Sequence, residues 1–137
     1  MAQIAVAPLF LKDVVFTVGT DDYEKHVSNV TFTPSTSPQT WKGLNPDATF
    51  TNVGSATWTV DIEFAQDWTT TNSLSAYLFA NQGETKAVEF APQNGVGPSF
   101  TANVIIVAGA IGGAVDTYGV ATVSLPLQGQ PTLVPAA

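Results

Sequence analysis

The stretch Thr57–Gly83, TWTVDIEFAQDWTTTNSLSAYLFANQG, decides how the rest of the chain is read. From Thr57 to Phe64 polar and apolar residues alternate strictly: Trp58, Val60, Ile62 and Phe64 fall on one side, Thr57, Thr59, Asp61 and Glu63 on the other. Successive side chains of a strand point to opposite faces, so this segment reads as a strand buried on one side and wet on the other. After Asp67 and Trp68 the period changes. Leu74, Tyr77 and Leu78 recur at helical spacing, Thr71 or Asn72 is placed to cap and Gly83 to stop, so the spacing predicts a helix over 72–82. No other segment carries a comparable helical pattern. The outline is mainly β: an antiparallel sandwich or barrel with one short flanking helix.

Working outward, Leu11–Val18 alternates through Val14, Phe16 and Val18 and predicts a first strand, closed by the turn-prone Gly19, Thr20, Asp21 and Asp22. A second strand is expected over His26–Thr33 with Val30 and Phe32 inward. Between Pro34 and Ala56 the chain is rich in Ser, Thr, Pro, Asn and Gly, yet it carries Trp41, Leu44 and Phe50. A disordered linker would hold fewer large apolar residues. The segment predicts a long loop or extended hairpin, with short strands near Gln39–Lys42 and Ala48–Asn52 around an Asn45-Pro46-Asp47 turn. Downstream, Thr85–Phe90 alternates again and Pro92–Pro98 is a turn cluster. Ser99–Ala108 is apolar on both faces and predicts a strand covered on both sides. Tyr118–Leu127, with Val123, Leu125 and Leu127 on one face, is expected to pair back onto it as a hairpin. Residues 1–10 read as an apolar arm and 128–137 as an extended tail, and with no repeat or change of composition the 137 residues form one domain.

Composition narrows the function classes. There is no cysteine, so disulfides, thiolate metal sites and a cysteine nucleophile are excluded. The four basic residues, Lys12, Lys25, Lys42 and Lys86, face eleven acids for a net charge of −7. Affinity for phosphate comes from clustered Lys and Arg that release counterions, so this balance argues against a protein that wraps nucleic acid. Charged residues are 11% of the chain, well under half the usual share, which suits a surface that partners cover. The start MAQIAVAPLFLKD lacks the basic region of a signal peptide and no segment has the apolar length of a membrane span, so a cytoplasmic origin without membrane association is expected.

Candidate chemistry is sparse. His26 is the only histidine, it lies beside Asp21, Asp22 and Glu24, and no Gly-x-Ser-x-Gly elbow accompanies it; a surface histidine in an acidic turn is the better reading than a triad member. The same carboxylates lack the spacing of a calcium loop. Asp61 and Glu63 share a strand face and would serve as an acid and base pair for glycoside hydrolysis, but carboxylates two residues apart are ordinary on the wet side of a strand. Gly109, Gly112 and Gly113 match neither a phosphate loop nor a dinucleotide fingerprint and read as turn glycines, and Asn29-Val30-Thr31 is a chance sequon. No catalytic, metal-binding or cofactor-binding residues are assigned, and no enzyme is expected.

Strands on either side of a single helix introduced by Asp67-Trp68 and Ser73-Leu74, a long Pro-rich loop after the second strand, and the closing run Val123-Ser124-Leu125-Pro126-Leu127-Gln128-Gly129-Gln130-Pro131 together resemble the tail tube proteins (major tail proteins) of long-tailed bacteriophages. Type VI secretion tube proteins share that architecture. The resemblance implies a β-sandwich with a flanking helix that assembles into hexameric rings, stacked as a hollow conduit for genome delivery. It implies a virion location in the tail, assembly in the host cytoplasm, and no cofactor. Expected partners are further copies of the chain, tape-measure and tail terminator or tip proteins, and DNA in transit that does not stick. On this reading Ile4, Val6, Leu9 and Phe10 of the arm, and Trp41, Leu44 and Phe50 of the long loop, contact neighbouring subunits. Asp61 and Glu63 line the channel. The rival expectations are an immunoglobulin-like binding module or capsid decoration protein, favoured by an exposed Trp41, and a small hydrolase using Asp61 and Glu63.

Overall fold

The computed structural model describes residues 2–93 and 97–135. In chain order it holds β1 (Val15–Val18), β2 (Asp21–Asp22), β3 (Val27–Ser35), β4 (Pro38–Lys42), β5 (Thr49–Val53), β6 (Thr57–Ala65), α1 (Leu74–Ala80), β7 (Thr85–Ala91), β8 (Ser99–Ile105), β9 (Val120–Pro126) and β10 (Thr132–Val134). These form a five-stranded sheet in the order β10-β8-β7-β1-β2, a three-stranded sheet β3-β6-β9 and a two-stranded ribbon β4-β5. Every strand pairing is antiparallel. The described residues are therefore mainly β with one short helix.

β6 is the middle strand of its sheet, and its alternation is realised residue by residue. Val60, Ile62 and Phe64 are buried, Trp58 is half-buried, and Thr57 and Glu63 are exposed. The register sets Val60 beside Phe32 and Leu125, and Ile62 beside Val30 and Val123, so the inward residues of three strands form one apolar layer. Facing it, Phe16, Val18, Val88, Phe90 and Val104 come from the five-stranded sheet, and both sets belong to a single core. Phe32 and Phe90 meet across the layers at 5.8 Å between ring centroids. Two sheets sharing one core are a sandwich. The chain also passes close over Phe64 at Gly109, where a Cβ would lie 2.8 Å from the ring.

The helix is shorter than its spacing predicts, and its cap is Ser73, not Thr71 or Asn72. The Ser73 hydroxyl accepts from the Ala76 N–H at 3.4 Å and donates to the Asp67 carbonyl. Asn72 stands at φ 62°, a left-handed conformation that asparagine tolerates, and this puts it outside the helix. The Asp67 carboxylate gathers the turn before the cap, accepting from the Thr69 and Thr70 N–H groups at 3.0 and 3.1 Å. Hydrogen bonds from the Thr70 side chain and N–H, then the Thr69 N–H, pull its pKa down to about 2, so the turn keeps its charged acceptor into strong acid. Leu74 and Leu78 are fully buried and Tyr77 packs against the core beside Tyr23.

Other expectations change or sharpen. The first strand begins at Val15 and not Leu11, because Asp13 at φ 53° interrupts the extended run and Lys12 makes only an isolated bridge to Gln93. Asp21 and Asp22, read as turn, form the two-residue β2 paired with Val18 and Thr17. Tyr118–Leu127 does not pair back as a hairpin onto its predecessor. β8 already has β7 on one edge and β10 on the other, so β9 crosses to β6, leaving only a Val104–Leu127 bridge between them. The tail is extended but not free, since Thr132–Val134 pairs with Ser99–Thr101. On β8, Val104 is buried whereas Ile105 on the other face is half-buried, so its second face is only partly covered. Of the turn cluster Pro92–Pro98, residues 94–96 lie outside the described residues, as do Met1 of the arm and residues 136–137 of the tail.

Because Leu78 is completely buried where the helix meets the sandwich, Leu78→Ala is expected to cost about 2–5 kcal/mol and to lower the melting temperature on the order of 10 °C. A calorimetric scan checks this.

Candidate functional site

Past the sandwich, β3 and β6 run on as the ribbon β4-β5, joined through the Gly54 N–H to Ser37 carbonyl bond of 3.3 Å. Residues 27–65 are thus one long antiparallel hairpin whose base is in the core. Every residue of β4 and β5 is exposed. The register pairs Trp41 with Phe50 on one ribbon face, with ring centroids 6.1 Å apart, and the hydroxyls of Thr40 and Thr51 meet at 3.1 Å on the other. The tip is a tight turn: the Asn45 side chain accepts from the Asp47 N–H at 2.9 Å, and Gly43 donates to the Ala48 carbonyl at 2.7 Å. A Cβ on Gly43 would lie 2.9 Å from that of Ala48 and 3.1 Å from the Trp41 ring, so only glycine fits without displacement. Leu44, beside it, is fully exposed. The expected hairpin is therefore present, with its aromatic pair displayed and not packed inward.

The arm carries the other expected contact residues. Ile4 and Val6 are 89% and 83% exposed, and Leu9 and Phe10 are also open. Its root is tied to the five-stranded sheet, with Lys12 N–H donating to the Pro92 carbonyl at 3.4 Å and the Gln93 side chain donating to the Phe10 carbonyl at 3.2 Å.

A third apolar surface escaped the sequence reading. The connection between β8 and β9 exposes Ile111, Val115 and Tyr118, and Trp68, before the helix, packs edge to face on Phe79 of the helix at 6.1 Å while both remain exposed. Gln66 holds this connection in place: its amide donates to the Gly112 carbonyl at 2.8 Å and accepts from the Gly112 N–H at 2.9 Å, while Gln66 N–H donates to the Gly119 carbonyl. The signal was available, since large apolar residues amid turn glycines are what singled out the loop after β3.

The polar side of the three-stranded sheet is built by the same register that builds the core. Thr31, Asp61 and Ser124 stand in one row and Asn29, Glu63 and Thr122 in the next. The Ser124 hydroxyl donates to the Asp61 carboxylate. Asp61 is half-buried and Glu63 exposed. The rows contain hydroxyls, an amide and two carboxylates and no lysine, because Lys12 precedes β1, Lys25 lies between β2 and β3, Lys42 is in the ribbon and Lys86 is on β7 beside Glu84.

Elsewhere, His26 is half-buried and not a surface residue: its ring meets Tyr23 edge-on at 5.5 Å and its Nδ1 has no partner among the described residues. Tyr23 is buried, donates to the Asn72 carbonyl at 3.0 Å, and is pushed up to about 12 by burial and then by the Asp21 charge. Tyr23 joins the β2 turn to the helix and its entry turn. Among the described residues no three His, Asp or Glu side chains are grouped to hold a metal ion, and no helix is long and apolar enough to cross a membrane. No family model matches the chain, and no curated protein matches it.

Since Trp41 stands on an exposed ribbon and the arm has no packed residues beyond its root, Trp41→Ser and deletion of residues 1–9 are each expected to leave the melting temperature within a few degrees of the parent. On the assembly that the resemblance implies, both should abolish the large species in sedimentation velocity. Intact assembly in both variants would remove these segments from the interface.

Proposed function

We propose that this chain is a structural subunit of a phage tail tube, self-assembling into stacked rings, hexameric in the resembling family, around a hollow conduit for DNA. The observation that carries the reading is the ribbon. A two-stranded hairpin is marginal in water by itself, and this one offers Trp41, Phe50 and Leu44 to solvent with a glycine-tight tip. Such an element makes sense when a neighbour covers it. The arm and the β8–β9 connection are further apolar surfaces elsewhere in the chain, and distinct surfaces on one subunit suit the head-to-tail contacts that close rings and build stacks.

The polar sheet face supports the conduit half of the reading. In a tube of such subunits that face would line the channel, presenting hydroxyls and the carboxylates Asp61 and Glu63 with no base. Like charge opposite passing phosphates, screened over about 8–10 Å at ordinary salt, gives weak repulsion and low friction. The work assigned to these carboxylates is electrostatic, with no catalysis. Tape-measure and terminal tail proteins would be its other partners in the virion.

A binding module or decoration protein is the second reading, favoured by the Trp41–Phe50 pair as a stacking platform. The two separate in solution. A tube subunit forms large species as concentration rises in sedimentation velocity, whereas a module stays monomeric. For the channel face, the double variant Asp61→Lys/Glu63→Lys is expected to keep the fold and to make assembled tubes retain DNA at low salt, with retention falling steeply as salt rises. Tubes of the double variant that ignore DNA in a filter-retention assay at low salt would take these residues off the channel wall.

A further inference from the structure

The sandwich is open along one seam. Among the described residues β3 has β6 on one edge and no strand on the other, so the outward backbone N–H and C=O groups from Val27 to Thr33, before Pro34 with its missing N–H, lack a ladder partner. Beneath that edge lies a groove of ≈ 470 Å³ walled by Phe32, Trp58, Phe100 and Leu133. It adjoins another of ≈ 360 Å³ that runs on to Val27 and Phe16. No ionisable side chain lines the larger groove. Trp58 adds an indole N–H that has no acceptor among the described residues.

An edge with idle backbone groups beside an uncharged apolar groove is what an extended strand recognises, main-chain bonds holding it while alternate side chains fill the groove. The arm before β1 is a segment of that chemistry, and Ile4 and Val6 on it are exposed. Residues 2–11, AQIAVAPLFL, carry no charged side chain, and Ile4 and Val6 are spaced to fall on one side of a strand. We propose that Ile4 and Val6 of a second copy enter this seam, so that the arm of one subunit completes the β3 edge of the next. The proposal rests on the self-assembly reading and names the contact that it uses.

The arm of the same chain is poorly placed for the task. Its Leu9 and Leu11 already line the larger groove, and its root is tied at Phe10 and Lys12, which leaves Ile4 and Val6 beyond the groove and exposed. To turn back it would have to reverse around Ala7-Pro8, where proline fixes its own φ and holds the preceding residue extended. Charge favours a neighbour at this point as well. Two copies at −7 repel, and an uncharged arm on an uncharged groove joins them without setting like charges together.

The absence of cysteine makes the test clean. Full-length Val6→Cys and Thr31→Cys, each a single variant and Thr31 lying on β3 at both grooves, are mixed, checked for assembly by sedimentation, and treated with a short bismaleimide. Val6→Cys mixed with Thr122→Cys, on the same sheet face but the opposite edge strand, is the control. The expected result is a mixed cross-linked dimer several-fold more abundant with Thr31→Cys than with Thr122→Cys. Equal yields from protein that does assemble would overturn the seam contact and leave the assembly reading standing. Failure of the parent and all three single variants to assemble would overturn the seam contact and the assembly reading together. Cross-linking within one chain in the double variant Val6→Cys/Thr31→Cys, at a dilution where only monomer sediments, would assign the seam to the chain's own arm and equally overturn the proposal.

Discussion

The register of β6 between β3 and β9 is the constraint on which the rest of the structure depends. A strand that slips by one residue exchanges its faces, and here the exchange would send Thr59, Asp61 and Glu63 into the core and bring Val60, Ile62 and Phe64 out to water. Burying two carboxylates without partners is far too costly to compete. The same pairing fixes Val30 and Phe32 opposite Val60 and Ile62, and Val123 and Leu125 on the other side. One alternation therefore decides the apolar layer, the polar outer face and the direction in which the hairpin of residues 27–65 leaves the sandwich.

Beyond that core the molecule is unusual for what it leaves unfinished. A ribbon with no buried residue, an arm with no packing past its root, a connection clamped by Gln66 yet displaying Ile111, Val115 and Tyr118, and an unpaired β3 edge all belong to a chain in which only 11% of residues are charged. Long unprotected edges and apolar patches are normally blunted with charge or proline. Here the net charge is acidic, and Asp61 and Glu63 put part of it on the outer face of the three-stranded sheet. On the proposed function, apolar surface that neighbours would cover is kept apart from a polar face that would meet a passing polyanion.

Much of this was legible from local pattern. Strict alternation located β6, and the aromatic residues spaced through a turn-rich segment located the hairpin of β4 and β5, because both signals are properties of adjacent residues. Pairing partners were not legible in the same way. Tyr118–Leu127 has the alternation of a strand, but its destination depends on β10 taking the edge of β8, a pairing between segments some thirty positions apart in the sequence. The cap at Ser73 was missed because Thr71, Asn72 and Ser73 are all capping residues, and only the backbone of Asn72 distinguishes them. The apolar connection before β9 was read through its glycines alone, which hid its side chains.

If these exposed surfaces join copies of the chain into a hollow tube, electron microscopy of the purified protein in negative stain is expected to show rings in projection and stacks of them with a stain-filled central channel of constant width, formed without nucleic acid or other proteins. A field of monodisperse single domains at concentrations where the ribbon and arm should be covered, or solid filaments with no channel, would contradict this assembly.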